Sequence, residues 1–393
     1  MTTASRFRLA ARMADIAPFH VMRILAQTRR METEGRRIIH MEVGEPPFAT
    51  PPAVAAAGQR ALADGRTFYT PAMGLPALRE AIAAYYRERF GVALSAARIA
   101  VTPGSSAGLQ LALAMLCGHG DEVLLSDPGY PCNRHFVQLF GATPVSLPVD
   151  ADAGFLPSLA QLDTAWTART RVLLLASPSN PTGAVIEPTA MRAYAEFVAA
   201  RGGVLIVDEI YQGLNHRDAP HSALAIRDDI VVVNSFSKYF CMTGWRIGWL
   251  VLPEALLEPA DRLAQNMYLA APTLAQHAAI VALGDQTRPL LEERRAQLGD
   301  KLDFVRAGLE RAGLPVPLAP AGAFYLYADT SGLPMPASVF CQRLLDEKGV
   351  AVTPGMDFGS YLAEQHIRLA CVAGEQDLRD ALRAIGELLD TCR

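Results

Sequence analysis

Of the 36 lysine and arginine side chains in the 393-residue sequence, three are lysine: Lys238, Lys301 and Lys348. For surface solubility the two residues are close substitutes. A lysine kept in an arginine-rich chain marks a place where arginine cannot do the job. One such job is forming a covalent imine: a guanidinium stays protonated, whereas an ε-amine can lose its proton and attack a carbonyl. Lys301 in "LGDKLDF" and Lys348 in "LLDEKGV" stand among charges and read as solvated. Lys238 ends the apolar run of "VVVNSFSKYF", with no acid within eight residues on either side.

Ser235 precedes Lys238 by three residues, and Arg246 follows it by eight. A lysine, a serine and an arginine brought together can bind a phosphate dianion beside an imine. Upstream, "TPGSSAGLQ" reads as a strand, a glycine turn and a helix start. Backbone N–H groups and the hydroxyls of Ser105 and Ser106 at such a start favour phosphate. Asp208 ends "VLIVD", a run too apolar for a solvated carboxylate. A buried carboxylate needs a partner. That partner is a helix cap or salt bridge on a purely structural reading. On a functional reading it is a protonated ring nitrogen, which a pyridoxal ring needs to act as an electron sink. Tyr211, three residues on, can donate to a phenolate oxygen. His40, His216 and His221 have no metal-ligand spacing, so no metal is expected.

These residues need a scaffold that gathers them. "RIAVTPGS", "DEVLLSDPGYP", "RVLLLASPSNPTG", "VLIVDEIY" and "DIVVVNSFSK" are apolar runs without alternation, which suits strands buried on both faces. Helical patterns such as "LPALREAIAAYYRERF" and "PTAMRAYAEFVAARGG" separate them. The expected fold is α/β, with a mostly parallel, doubly wound sheet. Ligands in such sheets bind outside the carboxyl ends of the strands, where Gly104 to Ser106, Asn180, Asp208, Tyr211 and Ser235 to Lys238 fall. After about residue 285 the texture changes to a long amphipathic helix, "RPLLEERRAQLGDKLDFVRAGLERAG", and the short strands "AGAFYLYAD", "GVAVTPG" and "HIRLAC". The expected division is a large α/β domain over 45–285 and a smaller α+β domain built from 1–44 plus 286–393.

Composition narrows the function classes. Apolar residues make up 51%, the net charge is −4 and the pI about 6.1. With no basic block, nucleic acid is not expected as a partner. The six cysteines, Cys117, Cys132, Cys241, Cys341, Cys371 and Cys392, form no CxxC pair and read as thiols of a reducing, cytoplasmic compartment. The N-terminus has arginines but no apolar core, so it does not read as a secretory signal. It continues straight into an amphipathic helical pattern, which argues against a transit peptide. No run of ~20 strongly apolar residues is present, so no membrane span is expected.

Taken together, "SPSNPTG", "DEIY", "SFSK" and "GWRIGW", in that order, resemble the class I/II pyridoxal-phosphate aminotransferases of fold type I. The resemblance runs from "EVGEPPF" near residue 42 to "IRLA" near 367. It implies pyridoxal 5'-phosphate held covalently by Lys238, which also shuttles a proton during the reaction. It implies that Asp208 pairs with the ring nitrogen, that Tyr211 and Asn180 bond the phenolic oxygen, and that Tyr130 stacks on the ring. Ser105, Ser106, Ser235 and Arg246 would hold the phosphate, with Ser237 in the same shell. Tyr69 would reach the phosphate of a second subunit, making the enzyme a homodimer with its site at the interface. Arg368 would clamp the substrate α-carboxylate as a bidentate fork, helped by Asn180 and the backbone of Gly44. The implied reaction is ping-pong transfer of an amino group between an L-amino acid and a 2-oxo acid. A β-lyase or synthase of the same fold would use the same ring-binding residues.

The chain departs from the family's commonest pattern at Ser177 and Ser179, where asparagines are frequent. No second cation can be placed for a distal carboxylate, which puts dicarboxylate specificity in doubt. From the family layout, "YLAAP" (268–272) and "ADIAPF" (14–19) are expected to line the side-chain pocket.

Overall fold

The computed structural model describes residues 8–392 apart from positions 19 and 218. Its strands are β1 (Ile39–His40), β2 (Ile99–Thr102), β3 (Glu122–Asp127), β4 (Thr143–Pro148), β5 (Thr170–Ala176), β6 (Val204–Asp208), β7 (Val231–Ser235), β8 (Gly248–Val251), β9 (Tyr325–Asp329), β10 (Val350–Ala351), β11 (Thr353–Pro354) and β12 (His366–Ala370). Seven of them form one sheet in the order β2-β8-β7-β6-β5-β3-β4. Its neighbours pair parallel except around β8, which runs antiparallel to both β2 and β7. The fold is α/β, as the sequence implies.

The unalternating apolar runs follow from burial on both faces. Leu173, Leu175 and Val207 point into one core, while Val172, Leu174 and Ile206 point into another, as the two-residue period of a strand requires. Helices Pro76–Phe90 and Pro188–Ala199 cover the first face, and Ser105–Leu116 covers the second. Each fully buried Leu or Val contributes roughly 1.5–3 kcal/mol by leaving water. Two strands of the sheet were not anticipated. β4 is an edge strand carrying Pro144 and Pro148, and its faces are mostly part-exposed. β8 has four residues, too few for a pattern.

Beyond residue 285, β9, β11 and β12 form an antiparallel sheet, and β1 pairs parallel with β10. A separate core gathers here, including Met41, Leu302, Phe340, Ile367 and Leu378. The helix Arg288–Ala312 bridges both bodies: Leu291 and Leu298 enter the large core, while Leu302, Val305 and Leu309 enter the small one. The N-terminal helix His20–Thr33 joins the small body through Met31, against Ile38 and Leu345. Among the described residues, no helix is long and apolar enough to cross a membrane.

Candidate active site

Parallel pairing sets the ends of β5 and β6 side by side, with Ala176 opposite Asp208. Beyond these ends opens a cavity of about 300 Å³. Its wall contains Lys238, Asp208, Tyr211, Asn180, Tyr130 and Ser237 from the strand ends. Ser105, Ser106 and Arg246 stand at one side, and Gly44 and Arg368 at another. The residues chosen on chemical grounds are thus brought together, apart from Ser235 and Tyr69.

Lys238 Nζ donates to the carbonyl of Gly44 at 2.6 Å. The surrounding protein strips water from the ammonium, and its pKa falls to about 8; Arg368 and Arg246 push the same way, against Glu45 and Asp208. Asp208 is 5% exposed. One of its oxygens accepts from the Ile210 N–H at 3.0 Å. Burial raises its pKa to about 6, opposed by that bond and by Lys238. Its hydrogen bonding is a single turn contact, far short of what a buried carboxylate needs.

Arg368 is 2% exposed. Nη1 donates to Asn180 Oδ1 at 3.0 Å, and Nη2 donates to the Glu42 carbonyl and toward Thr353 Oγ1 at 3.4 Å. The guanidinium carbon lies 4.5 Å from the Tyr325 ring centre and 4.7 Å from that of Phe358. Its hydrogen-bond partners are neutral oxygens, and Nε has none. A structural ion pair therefore does not account for it. Asp357 acts on it only through space, with no carboxylate among the described residues within ion-pair distance, so the buried guanidinium can still take an anion.

Arg246 is held by Nη1 donating to the Thr243 carbonyl at 2.8 Å. Its Nη2 lies so near Gly104 that a Cβ there would sit 2.7 Å away. Gly104 also has φ +81° and caps the helix Ser105–Leu116. The glycine lets the guanidinium approach the helix start, where unpaired N–H groups and the dipole favour an anion. Tyr130 opens the helix Pro131–Leu139, and burial raises its phenol pKa.

Ser235 was expected to touch the phosphate. It is 1% exposed and lies behind Ser237. Its hydroxyl donates to Ser237 Oγ at 2.9 Å and accepts from the Ser237 N–H at 3.0 Å. As the last residue of the fully buried β7 it supports the serine that faces the cavity. Tyr69 is 83% exposed and lies outside the cavity wall of one chain. Residues 268–272 and 14–18 are also absent from that wall, and Phe19 lies outside the described residues. In their place, Val21 and Met22 of the N-terminal helix enter it. The start of that helix is tied to Asp357, whose carboxylate accepts from the N–H groups of His20 at 2.9 Å and Val21 at 3.4 Å.

Tyr325 was not anticipated. Its hydroxyl pairs with that of Tyr211 at 2.7 Å, and it lines the cavity. Its stretch, "AGAFYLYAD", signals a strand and nothing more. The basic residues in the wall are Lys238, Arg246 and Arg368. His216 and His221 turn their Nε2 atoms to the carbonyls of Ala323 and Ile186.

Comparison with known proteins places nearly the whole chain in one family. A family model described as aminotransferase class I and II matches residues 36–385. The chain is 37% identical to the valine–pyruvate aminotransferase of Mycobacterium tuberculosis, over 97% of this chain and 98% of that protein. It is 33% identical to the (5-formylfuran-3-yl)methyl phosphate transaminase of Methanocaldococcus jannaschii, over 97% of this chain and 100% of that one. Among solved structures, an aminotransferase from Mycobacterium tuberculosis superposes with a TM-score of 0.94 at 36% identity, over 98% of this chain and 100% of the other. The aspartate aminotransferase of Thermus thermophilus with maleate gives 0.92 at 32% identity, over 97% of this chain and 100% of that one.

Proposed function

The chain belongs to the class I and II aminotransferases, and from that premise we propose that the cavity beyond β5 to β7 is where it binds cofactor and substrate. The enzyme is a pyridoxal-phosphate-dependent transaminase that moves an amino group between an amino acid and a 2-oxo acid.

The residues present fit the cofactor. Gly104 leaves room for Arg246 at a helix start lined by Ser105 and Ser106, a cradle that a Cβ would fill. Asp208 offers a carboxylate with one hydrogen bond, suited to a protonated ring nitrogen. Tyr211 and Asn180 would serve the phenolic oxygen, and Tyr130 the ring face. Ser237 would join the phosphate shell, with Ser235 behind it.

When bound, pyridoxal phosphate supplies a covalent hold on the amino nitrogen and an electron sink for the adjacent carbon. The protein supplies position and proton movement. Arg368 takes the substrate carboxylate in a two-pronged grip and so orients the reacting carbon toward Lys238. Lys238 Nζ, with its pKa near 8, is neutral in a useful fraction at ordinary pH and moves the proton. Asp208 stays ionised and holds positive charge on the ring nitrogen. The two half-reactions follow in ping-pong order on one site.

The observation that carries this reading is the guanidinium of Arg368, hydrogen-bonded to neutral oxygens and in no salt bridge among the described residues, buried in the same cavity as Lys238. Borohydride treatment followed by peptide mapping tests it. The expected label falls on Lys238; a label elsewhere, or none, would overturn the assignment.

An apolar amino donor is favoured over a dicarboxylate. Val21 and Met22 stand in the wall, and its three basic residues already have roles. The relative named for valine and pyruvate points the same way. We also read the protein as a homodimer. Phe68 and Tyr69, 82% and 83% exposed, would be covered by a second copy, with Tyr69 reaching its phosphate. We divide the chain into 45–285 and 1–44 plus 286–393, with Leu291, Leu298, Phe324 and Tyr325 of the second part packing into the large core and a separate core gathering around Leu302. Free cysteines throughout the described residues suit a reducing cytoplasm.

A further inference from the structure

Two anchors of the site hang from one short stretch of backbone. Arg368 Nη2 donates to the carbonyl of Glu42. Lys238 Nζ donates to the carbonyl of Gly44, two residues on. The stretch is stitched into the small body: Met41 donates to the Ala351 carbonyl at 2.9 Å and accepts from the Ala370 N–H at 2.7 Å. Thr353 Oγ1 adds a bond to the Glu42 carbonyl at 3.2 Å.

The side chain of Glu42 is the unusual part. It is 0% exposed, although it carries a carboxylate. The strand β1 ends at His40 and the chain bends at Glu42, which brings His40 Nδ1 to 2.7 Å from Glu42 Oε1. The other ring nitrogen lies 3.1 Å from Glu32 Oε1, on the N-terminal helix. Glu42 Oε2 has no partner. The carboxylate thus depends on a single imidazole, whose pKa the bond to Glu42 raises to about 9. The hydrogen bond between the two side chains braces the backbone that carries the Glu42 carbonyl, and a variant lacking both side chains loses that brace.

We propose, on the reading of Arg368 as the carboxylate clamp, that His40 and Glu42 are a positioning pair for the substrate. By fixing the Glu42 carbonyl they hold the guanidinium of Arg368 in place for the substrate carboxylate. Neither side chain is in the cavity wall. The link to Glu32 ties the same stretch to the helix that brings Val21 and Met22 to the cavity.

The test uses the pyridoxal-phosphate-loaded enzyme and 2-methylalanine, an amino acid with no proton on its reacting carbon. Its dissociation constant is read by absorbance titration, beside KM and kcat for a reactive donor. The central variant is His40→Leu with Glu42→Leu, because replacing both partners of a buried pair by apolar groups is tolerated where removing one is not. The expected result is a dissociation constant and KM raised about tenfold, with kcat within about threefold of wild type. His40→Asn, whose amide can donate from the Nδ1 position, is expected to stay within about threefold in all three. A double variant that binds 2-methylalanine like wild type overturns the positioning role. So does His40→Asn as impaired as the double variant, since that would be a loss of packing alone. Arg368→Lys separates the two layers. If it binds 2-methylalanine normally, the clamp reading fails; if it weakens binding and the double variant does not, the positioning pair alone fails.

Discussion

The hydroxyls of Tyr211 and Tyr325 lie 2.7 Å apart, one from the turn after β6 and the other from the start of β9. The contact joins the large sheet to the small one directly in the cavity wall. Either hydroxyl can be the donor. With Tyr325 donating, the Tyr211 O–H is free to point at the cofactor's phenolic oxygen. Tyr325 also packs on Arg368, so it touches both the ring side and the carboxylate side of the site.

The first prediction follows. Tyr325→Phe keeps the packing against Arg368 and removes the hydroxyl that pairs with Tyr211. It should lower kcat about three- to tenfold, the loss of one neutral hydrogen bond. Tyr211→Phe should cost more, because it removes the group facing the cofactor. It should also shift the absorbance of the loaded enzyme, which Tyr325→Phe should move less. Spectra and steady-state rates of the two variants check the order.

Lys238→Ala should fold and bind pyridoxal phosphate non-covalently, yet fail to turn over. The phosphate cradle at Gly104 and Arg246 and the carboxylate of Asp208 do not depend on the amine. The loss should exceed about 10³-fold, as expected for removing the group that moves the proton. Single-turnover absorbance after mixing with amino acids measures it. Normal transamination by this variant would refute the role of Lys238.

Asp208 carries a pH signature. Burial raises its folded pKa to about 6, from 3.8. Between those values the folded chain holds a proton that the unfolded chain has released. Stability of the cofactor-free protein therefore falls as pH rises through this window, and above it the cost is complete. Asp208→Asn removes that cost. The empty variant should be more stable than wild type at pH 7, by on the order of 3 kcal/mol, with the difference vanishing below about pH 4. Activity should fall by about 10²-fold or more, since a neutral amide cannot hold the ring nitrogen protonated. Urea melts of both empty proteins at pH 4 and pH 7 decide the first part. An unchanged difference between the two pH values would contradict it.

Much of this site was legible because its chemistry is local in sequence. Asp208, Asn180 and Lys238 each follow an apolar run, and a polar residue at the carboxyl end of a buried strand has few places to go. Arg246 and Gly104 were legible through turn chemistry beside such strands. Tyr325, Val21 and Met22 were not, since they reach the cavity by long-range packing and their types suit any core. Ser235 and Ser237 look interchangeable by spacing, yet one closes a buried strand and the other lies past it in the cavity wall. In the fold, β4 and β8 escaped notice for the same reason: a proline-bearing edge and a four-residue strand carry no period to read.

Gly44 offers the last test, because its role is steric rather than conformational. A Cβ at this position would overlap the Tyr325 hydroxyl and come within 3.0 Å of the ring carbon bearing it. Either Tyr325 or the backbone of Gly44 must give way. Both outcomes harm the site, since Tyr325 holds Tyr211 and packs on Arg368, while Gly44 lies two residues from the Glu42 carbonyl that holds Arg368. Gly44→Ala should lower kcat/KM about tenfold or more. Removing the obstructing hydroxyl should recover part of that loss, so the double variant Gly44→Ala with Tyr325→Phe should be more active than Gly44→Ala alone. The two changes are then coupled with opposite sign to simple addition. Strict additivity in the measured kcat/KM values would show that the alanine acts through the backbone and not through Tyr325.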